Sequence, residues 1–161
     1  MNQKVLSIVH AALIAALYVV LTLIANTLGL ANFAIQVRFS EALCILPVFT
    51  PAAIPGLFVG CILSNLLTGC LPQDIIFGSL ATLLGALGTY SLRRLPKWFA
   101  PVCPILANTC IVPFVLAYVY HFEGSIPYFM VTVGIGEFLS CGVLGMLLLK
   151  VLRKYQKFLF C

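Results

Sequence analysis

Four carboxylates interrupt a 161-residue sequence that is 63% hydrophobic, and their settings differ. Glu137 is the least expected, because Val133-Gly-Ile-Gly136 and Phe138-Leu139 flank it. An acid at bilayer depth costs about 2.5–3.5 kcal/mol on insertion scales, so it normally faces a cavity or a partner. Glu123 sits in a polar stretch, where solvation explains it. Glu41 and Asp74 open apolar runs. Near them in the pattern stand Gln36, Arg38, Asn65 and Asn108, with Phe33, Phe39, Phe77, Tyr118, Tyr120, Tyr128 and Phe129. A few placed polar groups among aromatics describe a small-molecule pocket. A carboxylate accepts paired donors, an amide both donates and accepts, and an aromatic ring stacks on a flat ligand. The expected substrate-binding residues are therefore Gln36, Arg38, Glu41, Asn65, Asp74, Phe77, Asn108 and Glu137. Structural roles stay open beside this: Ser40 and Asp74 as helix N-caps, and Arg38 with Glu41 as a local pair.

Catalytic chemistry has little to stand on. His10 and His121 fall near opposite ends of the expected bundle, and Ser79 in Gly78-Ser79-Leu80 lacks the second glycine of a nucleophile elbow. HExxH and Walker patterns do not occur, so no catalytic, metal or cofactor residue is expected, and active transport would need a borrowed nucleotide engine. The seven cysteines form no CxxC pair and read as small buried hydrophobes.

The elements that must hold these residues are membrane spans. Charged residues make up 8% of the chain, against ~25% in soluble domains, and the mean hydropathy is +1.16. A soluble globular or disordered chain is excluded on composition. Apolar runs over 5–28, 52–68, 74–92, 99–120 and 126–152 read as spans, with a short sixth piece over 40–50 broken by Pro47 and Pro51. The run from Val5 is too long for a signal-peptide core, so no cleavable signal is expected. With the N-terminus in the cytoplasm and six crossings, Lys4, Arg93, Arg94, Lys97, Lys150, Arg153, Lys154 and Lys157 all fall inside, and Arg38 alone falls outside. The positive-inside rule selects that count, although a re-entrant hairpin over 40–68 keeps the same parity. The reading is one all-α transmembrane domain over 1–161, a six-helix bundle with cytoplasmic termini and a short or re-entrant second helix. The net charge of +5 is spent on orientation in the bilayer, so no nucleic-acid partner is expected. The Gly29–Phe39 connection, with Gln36 and Arg38, is expected to lie outside as a cover over the pocket.

Small residues recur at helical spacing: Ala11, Ala12, Ala15 and Ala16 in the first span, Gly56, Gly60, Ser64 and Thr68 in the third, and Gly78, Ala81, Gly85 and Gly88 in the fourth. Such stripes let backbones approach closely. In the third and fourth spans this reads as internal packing. In the first span, where the alanines lie near the cytoplasmic end, a docking face for a partner is equally open.

Ile35-Gln-Val-Arg-Phe-Ser-Glu-Ala-Leu43, Leu46-Pro47 and Phe49-Thr-Pro-Ala-Ala-Ile-Pro-Gly-Leu57 resemble the queuosine-precursor transporters of the QueT family. Further matching stretches are Asp74-Ile75, Phe77-Gly-Ser-Leu-Ala-Thr-Leu83 and Val133-Gly-Ile-Gly-Glu137, so the resemblance runs over nearly the whole chain. The main departures are Cys44, Cys70 and Cys110. The resemblance implies an S component of an energy-coupling factor importer in a bacterial cell membrane. Such a subunit captures a vitamin-like solute outside, and docks on a transmembrane coupling subunit and two ATPases. It implies 7-deazaguanine bases as substrates, and the alanines of the first helix, Ala11, Ala12, Ala15 and Ala16, as the coupling-subunit contact. An S component for another vitamin-like solute, an intramembrane enzyme and a structural membrane subunit are the alternatives.

Overall fold

The computed structural model describes residues 2–30 and 37–159, the last four of these by backbone alone. The described residues are helical apart from turns: α1 (Gln3–Thr27), a 3-10 helix (Phe39–Val48), α2 (Ala53–Leu67), α3 (Pro72–Ser91), α4 (Val102–Tyr118), α5 (Ile126–Glu137) and α6 (Gly145–Leu159). A π-helical stretch, Phe138–Leu144, joins α5 to α6, so 126–155 runs as one 30-residue helix. Four helical stretches among the described residues are long and apolar enough to cross a bilayer, and the 3-10 helix and α2 are shorter apolar helices. The protein is a multi-pass membrane protein. Its polarity is turned outside-in: Ile8, Leu13, Leu67, Leu106 and Leu147 are exposed, whereas Glu41, Asn65, Asp74, Asn108 and Glu137 are buried. An outer surface this apolar suits lipid, not water.

Close approaches give the direction of each helix. A Cβ on Gly56 would stand 2.7 Å from the Ala11 carbonyl oxygen, and one on Gly60 would stand 2.8 Å from the Tyr18 Cβ and 3.1 Å from the Ala15 Cα. Four residues along α2 thus match four along α1, so the two helices run parallel. The glycine stripe of the third span is the packing seam between them. Between two parallel helices the chain must return, and the 3-10 helix does so. Ser40 meets Thr22, Glu41 meets Tyr18, and Phe49 just beyond the segment lies under the Lys97 ammonium at the far end. The α3–α4 pair is antiparallel, with Gly85 against Pro104 and Gly88 against Cys103.

The short second piece therefore traverses the bundle in 3-10 form. At ~2.0 Å per residue its 10 residues reach about 20 Å, more than an α-helix of that length would. Its residues from Ser40 to Pro47 are buried, among α1, α2, α3, α6 and the π stretch. Irregular backbone at membrane depth is tolerated when protein surrounds it. Neither proposed N-cap forms. Arg38 occupies the cap position of the 3-10 helix and Leu71 that of α3, each without a side-chain capping bond. Pro72 at the start of α3 removes one of the N–H groups that a helix start leaves unpaired, and Asp74 lies in the first turn.

Candidate functional site

Six of the eight expected binding residues meet at one end of the bundle, around two chambers that share part of their lining. The outer chamber, about 260 Å³, is lined by Thr22, Asn26, Arg38, Asn65, Thr68, Cys70, Asp74, Val112, Leu116, Tyr120 and Phe122. The inner chamber, about 20 Å³, is lined by Arg38, Glu41, Asp74, Gly78, Thr82, Asn108, Val112, Val133 and Glu137. Arg38, Asp74 and Val112 border both.

Each helix delivers its groups by its own period. On α3, Asp74, Gly78 and Thr82 follow one another at four-residue spacing and share a face. Gly78 leaves space, since a Cβ there would meet the Asn65 amide at 3.3 Å and the Asp74 carboxylate at 3.5 Å. Asn108 comes from α4 and Glu137 from the end of α5. The 3-10 helix brings Arg38 and Glu41 to the same place across the bundle, and the Arg38 backbone N–H donates to Ser140 Oγ at 3.1 Å. That bond ties the start of the 3-10 helix to the π stretch just after Glu137.

The carboxylates are held differently. Glu41 accepts from the Tyr18 hydroxyl, the Cys44 thiol (3.1 Å) and the Asn108 amide (3.4 Å). It is thus tied to α1 and α4 and within its own helix, rather than paired locally with Arg38. Asp74 Oδ2 accepts from the Tyr120 hydroxyl at 2.9 Å, and that hydroxyl accepts from the Leu71 backbone N–H at 3.3 Å. Burial, then the adjacent Asp74 charge, pushes the Tyr120 phenol upward, so it stays a donor at physiological pH. Glu137 is 8% exposed. Its Oε2 is one of two buried side-chain polar atoms without a hydrogen-bond partner among the described residues, the other being Thr109 Oγ1. Only Glu137 of these two lines the chambers. A buried acceptor left unmatched is costly, which marks it as a place for a ligand donor.

Two expected residues stand apart. Phe77 is 47% exposed and borders an apolar groove with Phe114 and Tyr118 on the outer surface. Gln36 lies outside the described residues, as does most of the expected cover over 29–39, whose ends meet through Val37 N–H and the Leu30 carbonyl at 3.1 Å. Tyr18 and Thr22 carry part of the site without having been picked from the sequence. Their signal was the buried face Ala15, Tyr18, Thr22 and Ala25 on α1, a three- and four-residue spacing that mixes small and polar groups. The alanine stripe divides. Ala15 is buried and Ala11 half-buried against the α2 glycines, whereas Ala12 and Ala16 are exposed.

The chain is similar over 83 residues to the queuosine precursor transporter QueT of Lactococcus lactis subsp. cremoris (strain MG1363), at 36% identity. That alignment covers 52% of this chain and 48% of the relative, so it spans about half the length of each. No solved structure matches. The family described as QueT transporter matches residues 8–154, which takes in every described residue that lines the two chambers. On that match the chain belongs to the QueT transporter family, a family of membrane transporters.

Proposed function

We propose that this protein is the solute-capture subunit of an energy-coupling factor importer, and that it takes a queuosine precursor, a 7-deazaguanine base, from outside a bacterial cell. The observation that carries the reading is the buried polar cavity, with one carboxylate oxygen still unmatched, inside a chain of this transporter family. A deazaguanine presents a ring N–H and an amino group on one edge, and a carboxylate accepts both. Hydrogen bonds to a charged group contribute about 1.5–3 kcal/mol each. Asn65 and Asn108 offer amides for the lactam oxygen, and Tyr120 and Phe122, stacked at 5.7 Å, offer an aromatic wall beside the outer chamber. Arg38, Glu41, Asn65, Asp74, Asn108 and Glu137 form the proposed site, and Gln36 joins them on sequence grounds. Phe77 is left out because it faces away from both chambers.

Transport needs energy, and the sequence holds no nucleotide motif. A transmembrane coupling subunit and two ATPases supply it in this reading. Ala12 and Ala16, exposed on α1 N-terminal to the chamber-lining Thr22 and Asn26, offer small side chains for the coupling subunit to approach. The bacterial plasma membrane is the proposed location, with both termini in the cytoplasm.

Calorimetry of the full-length protein in nanodiscs, across 7-deazaguanines and water-soluble vitamins, tests the reading. Saturable binding of a deazaguanine and none of the vitamins is the expected result. Binding of a vitamin with no response to any deazapurine would replace the substrate and keep the fold.

A further inference from the structure

We propose that an apolar groove between α4 and α6, away from the two chambers, is a binding site for one anionic diacyl phospholipid. It shares no residue with either chamber and does not depend on what they hold. Three observations carry it. The first is shape. Two apolar troughs of about 470 Å³ each meet along Val143 and Met146, one walled by Val102 and Ile105 of α4, the other by Leu147 and Leu149 of α6. From Phe138 to Arg153 the groove follows the helix for about 20 Å at ~1.5 Å per residue, close to half the thickness of a ~40–45 Å bilayer. The second is charge. Lys97, Lys150 and Arg153 all line the second trough and none lines the first, and no carboxylate is among the described residues that line either. Lys97 Nζ stands 5.3 Å from the centroid of the Phe49 ring, a contact that positions the ammonium without neutralising it. The third is Trp98, which borders the first trough and is 70% exposed. Indoles concentrate at the membrane–water boundary, so Trp98 and its neighbour Lys97 mark the headgroup level.

A ligand that fits is apolar over most of its length and anionic at one end. A phosphodiester accepts from all three cations, and the planar Arg153 guanidinium offers a fork for two of its oxygens. Basic pockets between transmembrane helices hold anionic headgroups in this way. A choline headgroup is the poorer match, because it brings its own cation among three others. A glycerol headgroup brings none. Free phosphate meets the cations but leaves both troughs bare.

Trp98 is the single tryptophan of the sequence, so its fluorescence reads the groove directly. The full-length protein is reconstituted in phosphatidylcholine vesicles with increasing fractions of a dibrominated lipid, either phosphatidylglycerol or phosphatidylcholine, whose bromines quench the indole on contact. Half-maximal quenching is expected at a fraction of the glycerol lipid about 10-fold lower than that of the choline lipid. Lys150→Gln together with Arg153→Gln should raise the glycerol-lipid fraction to the choline level and leave choline quenching unchanged. Arg93→Gln together with Arg94→Gln removes as much charge from outside the groove, and should keep the preference. Equal quenching of the wild-type protein by the two lipids would overturn the site, whether or not the variants hold their fold. Equal loss of preference in both double variants would overturn it as well, by showing a general attraction to a basic end. Quenching of the wild-type protein by neither lipid would overturn it and give the groove to a protein partner.

Discussion

Glu41 accepts from a phenol, a thiol and an amide, while Glu137, in the same small chamber, keeps one oxygen free. The first carboxylate is closed off by three donors, and the second leaves a buried acceptor unmatched. Tyr18→Phe removes one of the three donors on Glu41 while keeping the ring. The expected result is a loss of about 1–3 kcal/mol of stability, read as a lower melting temperature, with the outer chamber still binding its ligand. An unchanged melting temperature would show that the phenol contributes nothing. Glu137 was legible in the sequence because depth alone made it anomalous. Asp74 was legible as a helix-start acid, but its partner Tyr120 lies 46 residues away and no local rule links them. Phe77 stands apart from both chambers for a geometric reason. One residue along a helix turns the side chain ~100°, so the neighbour of Gly78 falls with Ile76, Leu80, Leu84 and Leu87 on the exposed face. Phe77→Ala should leave ligand affinity unchanged, and a clear loss in calorimetry would put the ring back in the site.

At the scale of elements, the α1–α2 seam and the 3-10 helix position everything else. The seam was legible as small residues four apart, since close approach requires them. What could not be read was how the alanines of α1 divide between inside and outside, because both faces carry alanine and the division depends on where α2 lies. Gly60→Leu would drive a side chain into Tyr18 and the Ala15 backbone. Overpacking of this kind costs about 1–3 kcal/mol, and Ala15→Trp should behave alike, lowering stability and ligand binding together. Ala16→Trp, on the exposed face, should leave melting and ligand binding intact and abolish copurification with the coupling subunit. Retained copurification would remove that face from the docking proposal. The 3-10 helix was legible only as a short apolar piece with two prolines. Runs beyond 3–4 residues are uncommon in this form, and burial on every side is what sustains it here. The π stretch after Glu137 had no sequence signal. It lies where the helix packs closely on the 3-10 helix: a Cβ on Gly145 would stand 3.2 Å from Ile45 Cγ2 and 3.4 Å from the Ala42 carbonyl oxygen.

The whole molecule is polarised along its long axis. Asp74, Tyr120, Asn26 and Arg38 gather at one end around the outer chamber, while Lys97, Lys150 and Arg153 surround an apolar groove near the other. That separation was legible from charge counting, because basic residues track the cytoplasmic face. In the proposed reading it would set solute capture and coupling at opposite ends. Cys70, which lines the outer chamber beside Thr68 at 3.4 Å, provides a native probe of the central claim that this chamber faces outward and holds the base. The measurement is the rate at which a membrane-impermeant maleimide modifies Cys70 in intact cells, followed by peptide mass spectrometry, with and without the deazaguanine. The account predicts labelling of Cys70 from outside and a severalfold slowing by the base, with Cys103 near the opposite end unlabelled. Labelling of Cys70 that the base leaves unchanged at saturating concentration, or labelling only after the cells are opened, would contradict it.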